Sequence, residues 1–188
     1  MRKIVLSAAI LVSAIASNAQ STVFKPFKVD LAMGYAIPGG SGSKGGVLFA
    51  VEPKYAVNNN IALGLRMEAA VMARSSVSST NDQFKTDVKA SGSYLLTGDY
   101  YFNTNTFRPF AGIGAGLFSI AAGYVESNGE VVEVAAANKF GFTPRLGFEV
   151  SHFRMAIEYN VAGKTGSINN NYLGIKLGAF IGGGRISK

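Results

Sequence analysis

The stretch that decides the fold is FGFTPRLGFEVSHFRMAIEYNV, residues 140–161. Large apolar side chains alternate with small or charged ones on both sides of the Ser-His pair at 151–152. A period of two is the pattern of β-strands, and two residues between two such runs predict a tight hairpin. That turn fixes the register and pairs Glu149 with Arg154, and Arg145 with Glu158. Two pairs of opposite charge from one turn favour this register.

The same alternation continues along the rest of the chain in eight predicted strands. They cover residues 27–37, 47–55, 61–71, 94–102, 109–120, 140–150, 153–161 and 173–182. Short turns are predicted at 58–60, 103–106 and 151–152, and longer links at 38–45, 74–92, 122–138 and 163–170. The first turn places Glu52 opposite Arg66. An even number of strands, with short turns at one rim and long loops at the other, predicts an all-β fold, an eight-stranded antiparallel up-and-down transmembrane β-barrel.

The two faces of these strands differ in size and charge. One face is apolar and uncharged, and the other carries glycine, alanine and isolated charges. Alternation alone also permits a soluble barrel with an apolar core. Small residues suit the crowded interior of an eight-stranded barrel, and aromatic residues near strand ends suit the membrane interfaces, so we expect lipid outside. The interior is then expected to hold an ion-pair network of six acids and six bases, because buried charges must be paired. Its members are Lys28, Asp30, Glu52, Lys54, Arg66, Glu68, Asp99, Arg145, Glu149, Arg154, Glu158 and Lys176.

The first 19 residues have the layout of a cleaved secretory signal. Arg2 and Lys3 precede an apolar run at 4–15, and small residues lead to a predicted cleavage between Ala19 and Gln20. The apolar run is shorter than the ~20 residues that a membrane-spanning helix needs. The predicted domains are therefore a signal peptide at 1–19 and a β-barrel at 20–188. Removing the signal lowers the net charge from +7 to +5, and because the lysines are dispersed in an exported chain, no nucleic-acid partner is expected.

The sequence contains no pattern typical of a catalytic, cofactor or metal site. His152 is the only histidine and falls in a predicted turn, and the chain has no cysteine. The glycines at 112–116 lie within a strand, whereas a dinucleotide-binding loop needs a helix after it. The segment Gly163-Lys164-Thr165 lacks the first glycine of a phosphate-binding loop, because that position is Glu158. We therefore expect a protein that is not an enzyme and needs no cofactor.

The signal peptide, the eight strands, the segment RPFAGIGAG at 108–116 and the closing strand YLGIKLG at 172–178 together resemble the OmpA/OmpX-type outer-membrane β-barrel family. The resemblance covers the whole mature chain and is one of pattern. It implies a Gram-negative outer-membrane protein with periplasmic termini and cell-surface loops. One departure is the end of the chain: many members finish on an aromatic residue, whereas this sequence continues through Gly182-Gly183-Gly184-Arg185 to Lys188.

From these features we expect a non-enzymatic outer-membrane barrel with a plugged interior and a structural or surface-interaction role. The alternatives are a narrow channel or a small apolar-ligand conduit of the OmpW type, and then a lipid A-modifying enzyme. The expected partners are outer-membrane lipid, lipopolysaccharide near the loop lysines (Lys44, Lys85, Lys89 and Lys164), and an extracellular partner of the loops. A monomer is expected. The Asn128-Gly129 pair is a hairpin signal and predicts that strands five and six project beyond the membrane.

Overall fold

The computed structural model describes residues 23–39, 43–77, 84–127, 130–165 and 168–186. For residues 43, 73–77, 84–89, 121–127, 130–137, 165 and 168 it describes the backbone alone. The predicted signal peptide lies outside the described residues. Within those residues, no helix has the length and hydropathy needed to cross a membrane.

Eight long strands close into one antiparallel barrel. Their bounds are β1 Phe27–Pro38, β2 Ser43–Ala56, β3 Ile61–Val77, β4 Phe84–Tyr101, β5 Phe107–Ser127, β6 Glu130–Val150, β7 Phe153–Asn160 and β10 Tyr172–Gly182. Two short strands, β8 Lys164–Thr165 and β9 Ile168–Asn169, pair with each other between β7 and β10. Consecutive barrel strands are neighbours, and β1 closes the barrel against β10. The eight-stranded up-and-down barrel is thus confirmed.

The registers predicted from the turns at 151–152 and 58–60 are observed in the structure. The β6–β7 pairing places Glu149 opposite Arg154 and Arg145 opposite Glu158. Ser151, in the turn, has a φ of 56°, a left-handed conformation of the kind that two-residue hairpin turns use. The β2–β3 pairing aligns Val51 with Met67 and Lys54 with Gly64, so Glu52 lies opposite Arg66. A two-residue and a three-residue turn were therefore sufficient to align four strands.

The long links predicted at 74–92 and 122–138 are wrong as loops. Strand β3 continues to Val77 and β4 begins at Phe84, and β5 continues to Ser127 and β6 begins at Glu130. Apolar and polar residues do not alternate in these parts of β3 to β6. Alternation is needed only where one face of a strand contacts lipid. Strands β5 and β6 extend beyond the predicted strands at 109–120 and 140–150. This agrees with the projection that the Asn128-Gly129 pair predicted.

The two ends of the barrel differ. The end that holds Val23, Ile186 and the three short turns is called here the terminal end, and the opposite end is the loop end. At the terminal end, Phe24 and Arg185 form a β-bridge, and the Lys25 amide donates to the Gly184 carbonyl at 2.9 Å. The Val23 amide donates to Asn59 Oδ1 at 3.1 Å. The residues after β10, which depart from the family pattern, therefore pair with the segment that precedes β1.

Candidate functional site

The twelve predicted interior charges lie inside the barrel, and the large apolar side chains that alternate with them along the strands lie outside. Met33 and Leu96 are each 68% exposed on the outer face, whereas the most exposed of the twelve predicted interior charges, Lys28, is 7% exposed. Phe107 and Phe148 stack on the outer face near the terminal end, with ring centroids 5.3 Å apart. An uncharged outer face with aromatic residues near its edges is the surface that lipid requires.

Asp99 is the centre of the charges in the terminal half of the barrel. It accepts hydrogen bonds from Lys54 Nζ at 2.7 Å, Arg145 Nε at 2.7 Å and Arg154 Nη2 at 2.9 Å. Arg154 also donates to Glu149 at 2.5 Å. Lys28 forms a close ion pair with the same Glu149 carboxylate. Each buried carboxylate here faces at least two cations, which offsets the large cost of removing it from water.

One two-pronged contact spans the diameter of the barrel. Arg145 on β6 donates through Nη1 and Nη2 to both carboxylate oxygens of Glu52 on β2, at 3.0 and 2.8 Å. Strands β6 and β2 are four places apart in the closed order of eight, so they face each other across the lumen. Thr97 donates to Glu52 Oε1 at 2.5 Å. A two-pronged arginine–carboxylate pair is among the most directional charged contacts in proteins.

A second pair crosses the lumen nearer the loop end. Arg66 on β3 forms a close ion pair with Glu158 on β7, and these strands are also four places apart. Arg66 Nη2 donates to Asn160 Oδ1 at 2.8 Å. Lys176 lies 2.7 Å from Glu158 Oε2 and forms a close pair with Glu68. The two groups of charges meet where Arg145 Nη1 lies 3.8 Å from Glu158 Oε1.

The predicted pairing of Glu52 with Arg66 needs a correction. The two residues are opposite in the register, but among the described ion pairs Glu52 contacts Arg145 and Lys54, and Arg66 contacts Glu158 and Glu68. Closure of the sheet brings strands together that are far apart in sequence. A charged side chain can therefore form its ion pair with a residue across the lumen instead of with the residue opposite it on the adjacent strand.

Glycines make room for these pairs. A Cβ at Gly112 would overlap Asp99 Oδ1 and lie 3.1 Å from Arg145 Nε, and one at Gly64 would lie 2.8 Å from Lys54 Cγ. Both positions are therefore restricted to glycine by close approach and not by backbone conformation. The sequence predicted that glycines accompany a crowded interior, and these close approaches to charged side chains explain why.

An apolar layer lies above the charges, toward the loop end. It consists of Ala36, Leu48, Ala70, Met72, Leu95, Phe118, Ile120, Ala162 and Tyr172. Phe118 and Leu95 are fully buried. The Tyr172 hydroxyl donates to Glu68 at 2.6 Å and so joins this layer to the ion pairs. Apolar side chains thus fill the lumen where the charges end.

Sequence reasoning missed one interior charge, Arg108. It is 8% exposed, and its Nη1 lies 3.8 Å from Glu149 Oε2. The strand was predicted to begin at Pro109, two residues after its start at Phe107, and so left out Arg108. Extending the alternation of Gly112, Gly114 and Gly116 backwards by two steps would have placed Arg108 on the inner face.

The free space among the interior charges is small. A cavity of about 20 Å³ is lined by Asp30, Glu52, Arg154 and Glu158, together with smaller side chains and Lys176. A single water needs about 10–15 Å³ by this measure, so the cavity has room for one water. Among the described residues, no group of histidine and acidic side chains has the arrangement of a metal site. His152 is at the terminal end, with Nδ1 2.9 Å from the Phe180 carbonyl.

Comparisons with known proteins agree with this geometry. A family model described as outer membrane protein beta-barrel domain matches residues 6–180. The solved structure of Neisserial surface protein A is 17% identical, with a TM-score of 0.55, and the match covers 83% of this chain and 96% of that one. OprG from Pseudomonas aeruginosa is 14% identical, with a TM-score of 0.59, and the match covers 87% and 100%. No curated protein gives a significant match to the sequence.

Proposed function

The chain belongs to the outer membrane protein beta-barrel domain family, and from that premise we propose that it is a non-enzymatic, monomeric outer-membrane scaffold with a sealed interior. Its role in this proposal is structural or one of surface interaction. The loop end is the recognition surface, and the signal at 1–19 is removed before the barrel domain at 20–188 is inserted. The barrel itself anchors the loop end at the outer surface of the membrane.

The observation that carries the proposal is the pair of contacts across the lumen, Arg145 with Glu52 and Arg66 with Glu158. Each crosses the barrel between opposite strands and occupies the path that an ion would follow. The apolar layer at the loop end supports a second seal, because a charged solute that passes it must lose its water. An eight-stranded barrel is just wide enough for its own side chains, so such filling is the expected state.

The loop end carries the interaction role in this proposal. Strands β3 to β6 extend past the apolar outer face and carry their hairpins away from the lipid. Lys44 and Lys164 are exposed near this end, and Lys139 makes a close contact with the Lys164 carbonyl. Lysines at the membrane surface favour contact with the phosphate groups of lipopolysaccharide. Lys85 and Lys89 were also predicted to contact lipopolysaccharide, but their side chains are not among those that the structure describes.

Conductance in a planar bilayer tests the sealed interior. The purified full chain should give no steady current, because both the ion pairs and the apolar layer block the lumen. The matched comparison is the double variant Phe118→Ala and Arg145→Ala, which weakens both seals and should pass more current than the wild-type protein. Steady single-channel current through the wild-type protein, with the same insertion efficiency, would instead establish the narrow-channel alternative.

A further inference from the structure

A cavity of about 190 Å³ lies at the terminal end of the barrel, below the ion pairs. It is called here the terminal cavity, and its walls include Phe24, Arg108, Glu149, His152 and Arg185. A single water needs about 10–15 Å³ by the same measure, so this space is more than ten times larger than one water requires. It is also separate from the small cavity among the interior charges.

Positive charge dominates these walls. Arg108 and Arg185 contribute two guanidinium groups, and Glu149 is the one carboxylate among the described residues that line the cavity. That carboxylate is already held by Lys28 and Arg154. Among the ion pairs of the described residues, Arg185 takes part in none. The cavity therefore has cationic groups in excess of their anionic partners.

Arg108 is buried and held in place, and Arg185, which is exposed, is anchored by a backbone contact. The Arg108 guanidinium carbon lies 3.8 Å from the centre of the Phe24 ring and 4.0 Å from that of Tyr101, and its Nη2 donates to the Asn59 carbonyl at 3.0 Å. Arg185 Nη2 donates to the Thr104 carbonyl at 3.0 Å. A guanidinium that stacks on rings and binds backbone oxygen loses little further freedom when it binds an anion.

Two buried atoms beside the cavity have unused hydrogen-bonding capacity. Arg108 Nε makes no hydrogen bond among the described residues, and neither does Glu149 Oε2. Arg108 Nη1 approaches that oxygen only to 3.8 Å, which is longer than a hydrogen bond. Buried donors are nearly always satisfied in native proteins, so an acceptor group is expected beside Arg108 Nε, whereas Glu149 Oε2 is itself an acceptor and does not contribute to an anion site.

We propose that the terminal cavity is a binding site for a small oxyanion, either a carboxylate or a phosphate group. The oxyanion contacts the guanidinium groups of Arg108 and Arg185, which match carboxylate and phosphate oxygens in geometry and charge. In the family topology this end faces the periplasm, so the ligand reaches the site from that compartment. The site binds without requiring the lumen to open.

Calorimetric titration of the full chain in non-ionic detergent tests the site, with acetate and inorganic phosphate as separate probes at fixed ionic strength. Saturable one-to-one binding of either probe is expected. Binding of acetate identifies carboxylates as ligands, and binding of phosphate alone identifies phosphate groups. Arg185→Gln should weaken the affinity at least tenfold, whereas Lys25→Gln, which removes an exposed charge at the same end but does not line the cavity, should leave it unchanged.

A second variant keeps every charge and fills the space. Gly184 lines the cavity, and a Cβ there would meet only His152, at 3.4 Å from Nε2, so a side chain can begin at this position without a clash, and Gly184→Leu should fill the cavity and abolish binding. Far-UV circular dichroism checks that each variant is folded. The proposal is overturned if neither probe binds saturably, if Gly184→Leu binds normally, or if Lys25→Gln and Arg185→Gln lose equal affinity.

Discussion

Gly112 shows at the scale of one residue how closely the interior is filled. An added methyl group would overlap Asp99 Oδ1 and lie 2.7 Å from the Gly98 carbonyl. We expect Gly112→Ala to lower the free energy of unfolding by about 1–3 kcal/mol, the usual cost of overpacking. Gly98→Ala is the matched control, because its methyl group would meet only Leu63 at 3.6 Å. Urea unfolding of the two variants in detergent provides the measurement, and equal effects would contradict a crowded interior.

Leu65 gives the corresponding test of the outer face. It lies in the middle of the apolar part of β3 and is 49% exposed. Leu65→Arg should destabilise the inserted barrel by about 2–4 kcal/mol, since a lipid-facing charge is costly near the bilayer midplane. Leu65→Met keeps the side chain apolar and should change little. Reversible unfolding in lipid vesicles measures both, and an arginine variant as stable as the wild type would mean that this face does not contact lipid.

At the scale of the strands, the orientation of the two ends can be tested on cells. We expect epitope tags inserted at residues 78–83 or 128–129 to be labelled on intact bacteria, because those positions follow strands that extend past the apolar face. A tag at the turn between Ser151 and Phe153 should be labelled only after permeabilisation. Labelling of that turn on intact cells would reverse the topology.

The strands also show which parts of the fold could be predicted from the sequence. Alternation and turn length placed the eight strands, because lipid on one side and a crowded lumen on the other impose a period of two. The same reasoning missed the strand residues beyond the lipid, as at 72–77 of β3, where that constraint ends. It also paired Glu52 with the adjacent Arg66, whereas Glu52 contacts Arg145 on the opposite strand. Contacts across the lumen depend on how the barrel closes, which no local pattern encodes.

For the molecule as a whole, the central claim is that charges paired across the lumen seal a non-conducting scaffold. The pair of Arg145 and Glu52 tests it most directly, because it joins opposite walls of the barrel. Removing one partner leaves the other buried with fewer counter-charges, Asp99 for Arg145 and Lys54 for Glu52, and should cost up to about 3–5 kcal/mol.

A double-mutant cycle with Arg145→Met, Glu52→Gln and the combined variant measures this coupling from the free energies of unfolding in lipid vesicles. We predict a coupling free energy of about 1–3 kcal/mol. Each single variant leaves one charge of the pair without its partner, whereas the combined variant removes both charges. Single effects that add to within about 0.5 kcal/mol would mean that the two charges act independently in a water-filled lumen, and would contradict the sealed scaffold.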